Sequence, residues 1–127
     1  MDYFKKFIFL FIFLIGANTA SASTSEFIGV IGAAIGDIKN QNNEKLINGS
    51  KIFYGDTIIS EAQSNAQILF LDQTVLTLGS DTELTIDEFI YDPESNEGSF
   101  VSNVKSGTVK FITGQISNKN PDNLEVK

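Results

Sequence analysis

The chain of 127 residues contains no cysteine, no histidine, no tryptophan and no arginine. Without cysteine there is no disulfide, so a small exported domain of this composition has to hold itself together through its core. The bacterial lipoprotein route of anchoring, which needs an N-terminal cysteine, is closed for the same reason. Without cysteine and histidine no thiol–imidazole or serine–histidine pair can form, and the usual zinc ligand sets are missing. Any catalysis would rest on carboxylates, lysines or tyrosines. The lack of arginine, at a net charge of −7, argues against nucleic acid, where basic contacts to phosphate dominate affinity. It equally disfavours anionic lipid headgroups. Calcium or a basic partner protein would suit the charge, and the acidity serves solubility in any case.

Long apolar runs are scarce too, with one exception at the start. Lys5 and Lys6 precede "FIFLFIFLIGA" (Phe7 to Ala17), and "NTASAS" follows, with Ala20 and Ala22 as a small-x-small cleavage signal. This is the layout of a secretory signal peptide, and the run is shorter than the ~20 residues a spanning helix needs. Residues 1–22 are therefore read as a signal peptide that engages the secretion machinery. Residues 23–127 form one domain that does not span the membrane and is exported to the periplasm, the medium or the cell surface. Those 105 residues suit a single compact core. With Asp2, Lys5 and Lys6 removed they carry 15 acidic residues against 7 lysines.

Turn-forming residues recur at close spacing along that domain: "NQNN", "NGS", "YGDT", "AQSN", "GSDT", "DPESNEG" and "NKNPDN". Between them lie short runs rich in Ile, Val, Phe, Leu and Thr, none long enough for a helix. The pattern predicts an all-β fold, a compact sandwich or a solenoid-like stack of short antiparallel strands and hairpins. In "AQILFLDQTVLTL", Ile68 and Phe70 share one face, the chain turns at Asp72-Gln73, and Leu76 and Leu78 line the returning strand. A second hairpin joins "ELTIDEFIY" to "SFVSNVK" through an acidic loop. Phe53, Phe70, Phe100 and Phe111 are expected in the core. The glycines of "IGVIGAAIG" do not match a dinucleotide fingerprint and read as tight packing between early strands.

The stretch "LTIDEFIYDP" (Leu84 to Pro93) breaks its own alternation. Leu84 and Ile86 share a face, but Glu88 then falls on that face, while Phe89 and Tyr91 fall on the other. A β-bulge at Asp87-Glu88 would insert one residue, reset the phase and turn Phe89 and Tyr91 inward. The alternatives are Glu88 facing inward and paired with a lysine such as Lys110, or a catalytic carboxylate. A glycosidase would need two carboxyls about 5–9.5 Å apart in a cleft, for which Asp87 and Glu88 are the candidates. Such an enzyme is not expected in so small a domain, and no cofactor is implied. In "DPESNEG", Asp92, Glu94 and Glu97 are the best local arrangement for calcium, yet they lack EF-hand or repeat-toxin spacing. No metal site is expected there. Asp56 in "YGDT" fits an Asx-turn to the backbone two residues on.

The segment "LINGSKIFYGDTIISEAQSNAQILFLDQTVLTLGSDTELTIDEFIYDP" resembles the FecR domain family. The elements that carry the resemblance are Gly49, Gly55-Asp56-Thr57-Ile58, Ser64 to Ala66, Ile68 to Asp72, and Val75 to Ile86. "IDEFIYDP" (Ile86 to Pro93), "KFITG" and "NPDNLEVK" are similar to an exported subgroup of that family. The resemblance implies that Gly55, Asp56, Asp72, Leu76, Leu78, Ile86, Asp87, Glu88, Phe89, Tyr91 and Pro93 maintain the fold. It further implies a non-enzymatic binding or signalling module that meets a protein partner in the cell envelope. The alternative is a structural domain, or N-terminal fragment, of a larger surface or adhesin-like protein. Three departures stand out. Gln73 replaces the usual Gly at the hairpin turn, so a wider or different turn is expected. No cytoplasmic segment and membrane helix precede the domain, so the anti-sigma role of the namesake regulators is not expected. The usual following strand is not part of the chain, from which an unpaired sheet edge is expected.

Overall fold

A computed structural model describes residues 26–127. The signal peptide assigned to residues 1–22 and the start of the domain near Ser23 lie outside the described residues. The described chain forms ten strands: β1 (Phe27–Ile35), β2 (Ile38–Asn40), β3 (Lys51–Phe53), β4 (Thr57–Ser60), β5 (Asn65–Phe70), β6 (Val75–Leu78), β7 (Thr82–Asp92), β8 (Glu97–Ser106), β9 (Val109–Ile112) and β10 (Leu124–Val126). They assemble into two five-stranded sheets, β3-β1-β5-β6-β9 and β10-β8-β7-β4-β2. All pairings are antiparallel except the parallel β10–β8 contact. The fold is all-β, as the turn spacing predicts, and of the two forms expected it is the sandwich. No described helix is long and apolar enough to cross a membrane.

Alternation builds the core. Ala66, Ile68 and Phe70 of β5 point inward while Asn65, Gln67 and Leu69 point out. Pairing of Ile68 with Leu76 continues the inner row into β6, where Leu76 and Leu78 are fully buried. The facing sheet contributes Ile58, Leu84, Ile86, Phe89 and Phe100. Phe70 of the first sheet stacks on Phe89, with ring centroids 5.6 Å apart, and meets Phe100 edge-on at 4.7 Å. Burial of each such side chain contributes about 1.5–3 kcal/mol, which is how a domain without disulfides stays folded. Phe53 and Phe111, also expected in the core, are only half-buried because they sit on the outermost strands β3 and β9.

Except for the hairpins β5–β6 and β7–β8, successive strands fall in opposite sheets, so most connections carry the chain across the sandwich. The crossing from β8 to β9 turns on Gly107, whose φ of +93° is left-handed and whose Cβ, if present, would strike Thr82. Thr82 secures this corner: its Oγ1 accepts from the Thr108 N–H at 3.1 Å and donates to a backbone carbonyl.

Two features depart from expectation. After β9 the chain forms a short helix, α1 (Gln115–Lys119), and a 3-10 turn at Pro121–Asn123. Five residues carry no readable helical period, so the helix rests on tertiary contacts, with Ile116 buried against the core. The chain then lays β10 along β8 in parallel.

One buried hydroxyl is unsatisfied. Ser102 is fully buried on β8, and its Oγ has no hydrogen-bond partner among the described residues. An orphaned polar group in a core costs about 1–3 kcal/mol. Ser102→Ala is therefore expected to leave stability unchanged or raise it by up to about 1 kcal/mol. A loss above that in urea unfolding would reveal a partner for the hydroxyl.

Candidate functional site

Asp72 is the most enclosed charged residue of the described chain. It is fully buried at the β5–β6 turn. Its Oδ1 accepts from the Thr74 N–H at 3.0 Å, and its Oδ2 accepts from the Thr74 hydroxyl at 2.8 Å and the Ile116 N–H at 3.2 Å. The Gln115 N–H donates to the Asp72 carbonyl at 2.6 Å. One residue thus ties the hairpin to the start of α1. Gly114 lets the two meet, since a Cβ there would collide with the backbone of Asp72, Gln73 and Thr74. All this carboxylate's bonds are internal, so it acts as a lock.

The turn itself corrects the expectation for Gln73. It is a tight three-residue connection, with the Gln73 N–H bonded to the Phe70 carbonyl and the Phe70 N–H to the Thr74 carbonyl, both at 2.9 Å. Gln73 takes the left-handed position at φ +73° in place of a glycine. That conformation is unfavourable for a side chain by about 1–2 kcal/mol. The Asp72 bonds and a 3.1 Å bond from Gln115 Nε2 to Gln73 Oε1 hold it.

The phase break in β7 has the bulge as its cause. Ile86 pairs with Ser102, and the next partner pair is Glu88 with Val101, so Asp87 is the extra residue. Phe89 then turns inward opposite Phe100, and Tyr91 becomes half-buried. Glu88 does not face the core and is not paired with Lys110; it is half-exposed and accepts a 3.2 Å bond from the Ser99 hydroxyl. Asp87 is exposed. Pro93, Tyr91, Phe89, Leu71 and Phe27 line an open groove of about 470 Å³ at this end of the sandwich.

The remaining carboxylates are dispersed. Asp56 reaches back to the Phe53 N–H, three residues earlier, at 2.8 Å and takes the Gln41 side-chain amide at 2.9 Å. The expected Asx-turn bond two residues on is not the one it makes, because Gly55 at φ +82° reverses the chain ahead of it. Asp92 accepts from the Glu94 N–H at 3.0 Å, an Asx-turn inside the β7–β8 loop. Asp92, Glu94 and Glu97 are not gathered: among the described residues no three acidic side chains converge as metal ligands do. A larger polar concavity, about 550 Å³, includes Asn40, Glu44, Lys45, Lys51 and Asp56. Its Asp56 is already bonded as above. Glu61, 2.8 Å from Lys39, raises that ammonium above the ordinary lysine range. A raised lysine stabilises below its ordinary range and ceases to do so only as pH climbs through the raised value, so this pair is indifferent to pH near neutrality.

Both sheets carry polar and apolar residues on their outer faces, the second including Ile90, which is 60% exposed. Across the second sheet run Thr57, Thr85 and Asn103, with a 2.8 Å hydroxyl–hydroxyl bond between the threonines. Across the first, the register aligns Lys51, Val30, Leu69, Val75 and Ile112, one residue from each strand. Leu69 and Ile112 are 41% and 54% exposed. Sequence reasoning missed this apolar row. Its signal was present: Leu69 and Leu71 stand at outward positions of "AQILFL", and Phe111-Ile112 places apolar residues on both faces of β9.

Comparison of the chain with protein-family models, with curated proteins and with solved structures finds no match.

Proposed function

We propose that the chain is an exported, FecR-like binding or signalling module of the cell envelope, non-catalytic, acting through protein–protein contacts. The observation that carries this reading is the apolar row Val30–Leu69–Val75–Ile112, aligned across four strands on the outer face of the first sheet. An aligned row of exposed apolar side chains is the kind of surface that marks an interaction site. The dispersal of the carboxylates supports the non-catalytic part: Asp72 is enclosed, Asp56 is bonded to the chain, and Asp87 and Glu88 lie on a strand bulge, outside the aromatic groove beside them. The FecR-like part rests on "IDEFIYDP" and the Gly55-Asp56 and Asp72 turns.

The test is in-cell crosslinking. A photoreactive residue at the exposed outer-face position Gln67 is expected to give a discrete heavier species in the envelope fraction. Leu69→Glu in the same background should remove it, while changing stability by only about 0.5 kcal/mol, as surface substitutions do. No discrete species from Gln67, or one indifferent to Leu69→Glu, overturns the reading.

A further inference from the structure

Of the four sheet edges, β2 is covered by a loop, and β3 and β10 each have one outward N–H taken up. On β2, the Leu46 N–H donates to the Ile38 carbonyl and the Asn40 N–H to the Glu44 carbonyl, so the loop covers the strand. On β3, the Asp56 carboxylate takes the Phe53 N–H. On β10, a three-residue strand, the Leu124 N–H turns back to the Pro121 carbonyl. The fourth edge, β9, has no such cover among the described residues.

Which groups β9 leaves bare follows from the register. The Gly79 N–H donates to the Thr108 carbonyl, and antiparallel hydrogen-bonded pairs recur every second residue. Lys110 and Ile112 therefore bond to Thr77 and Val75 on β6, and the N–H and C=O of Val109 and Phe111 point outward. The neighbouring ladder agrees, because the Phe70–Thr74 bond makes Leu76 and Leu78 the residues of β6 that bond to β5. The side chains alternate the other way. Lys110 and Ile112 are exposed on the outer face, and Val109 and Phe111 are half-buried at the rim of the core.

We infer that β9 takes an extended segment of a partner protein as a sixth strand of the first sheet, with apolar residues at alternate positions and an acidic residue beside Lys110. This rests on the protein–protein reading above and deepens it. Backbone groups of Val109 and Phe111 supply the pairing, and side chains at alternate positions supply selectivity. Inward residues of the added strand would cover the half-exposed Val109 and Phe111. An outward apolar residue beside Ile112 would extend the row from Val30 through Leu69 and Val75.

A second copy of this chain fits poorly. The register that uses both bare residues, Val109 against Phe111, sets Lys110 against Lys110, and like charges directly opposite are destabilising. Two chains of net charge −7 repel. A four-residue edge, about 14 Å long, also offers only a few backbone bonds to a second folded chain.

The test uses the ¹⁵N-labelled protein and a blocked eight-residue peptide that alternates valine with threonine and carries one glutamate. Titration is expected to shift the amides of Val109 and Phe111 and slow their hydrogen exchange. A peptide N-methylated on alternate amides, and the variant Val109→Pro, should each weaken binding at least about tenfold. Proline at 109 removes an outward N–H and none of the bonds to β6. If that variant does not fold, the N-methylated peptide makes the same contrast from the other partner. The inference is overturned by no shift at about 1 mM peptide, by shifts centred on β3 or β10, or by an N-methylated peptide that binds equally well. Broadening of the same amides with protein concentration alone, without peptide, would assign the edge to a second copy and overturn it too. Failure here with the Gln67 crosslink intact leaves the binding-module reading standing; loss of that crosslink removes both.

Discussion

Asp72→Ala is expected to lower unfolding stability by about 2–4 kcal/mol, because several buried donors lose their acceptor. Three donors lose their acceptor at once: the Thr74 N–H, the Thr74 hydroxyl and the Ile116 N–H. A buried donor left without a partner costs about 1–3 kcal/mol, and the three are not additive because they share one side chain. Against a typical total of 5–15 kcal/mol, the change places the domain near the edge of folding. Asp72→Asn separates the shape of the lock from its acceptors. The amide keeps the volume and one oxygen but turns an NH₂ toward a donor, so its cost should be intermediate, about 1–3 kcal/mol. Urea unfolding with the slope held in common measures both. A loss below about 1 kcal/mol for Asp72→Ala would mean that the turn and α1 are held by something else. The first region to loosen in Asp72→Asn should be α1, read by hydrogen exchange at Asn118 and Asn120, whose N–H groups close the helix.

Phe100→Ala is expected to cost about 3–5 kcal/mol, as large aromatic deletions in cores do. Phe100 is fully buried and meets three other phenylalanine rings edge-on: Phe70 at 4.7 Å, Phe89 at 5.2 Å and Phe111 at 6.0 Å. These rings come from β5, β7 and β9, so Phe100 joins both sheets at one point. Edge-to-face pairs add about 0.5–1.5 kcal/mol beyond the area buried. The control is Phe111→Ala. Its ring is half-exposed on the edge strand and touches the cluster only through Phe100, so its cost should be about half as large. Equal losses in the two variants would show that the cluster is not centred on Phe100. The double variant should be less than additive, because the two rings share one contact.

Whatever depends on neighbours along the chain was legible in the residues themselves. Strict alternation in "NAQILF" determined which side of β5 faces the core. The Asp72-Gln73 turn determined the hairpin, and the misplaced Glu88 marked the bulge that turns Phe89 inward. Each is a local signal, because strand period, turn chemistry and phase all act within a few residues. The tertiary structure alone decided the rest. No residue states that β1, β3 and β5 share a sheet while β2 and β4 lie in the other, since both sheets ask for the same alternating pattern. The α1 helix is too short to carry its own period and exists because Asp72, forty-four positions before Ile116, accepts its N–H. The left-handed Gln73 is tolerated for the same reason, held by contacts from Gly114 and Gln115 that lie far along the chain. The apolar row on the outer face and the bare edge of β9 arise only when five strands are set side by side in register. Pairing is a property of backbones brought together, and each residue records only its own preference for the strand.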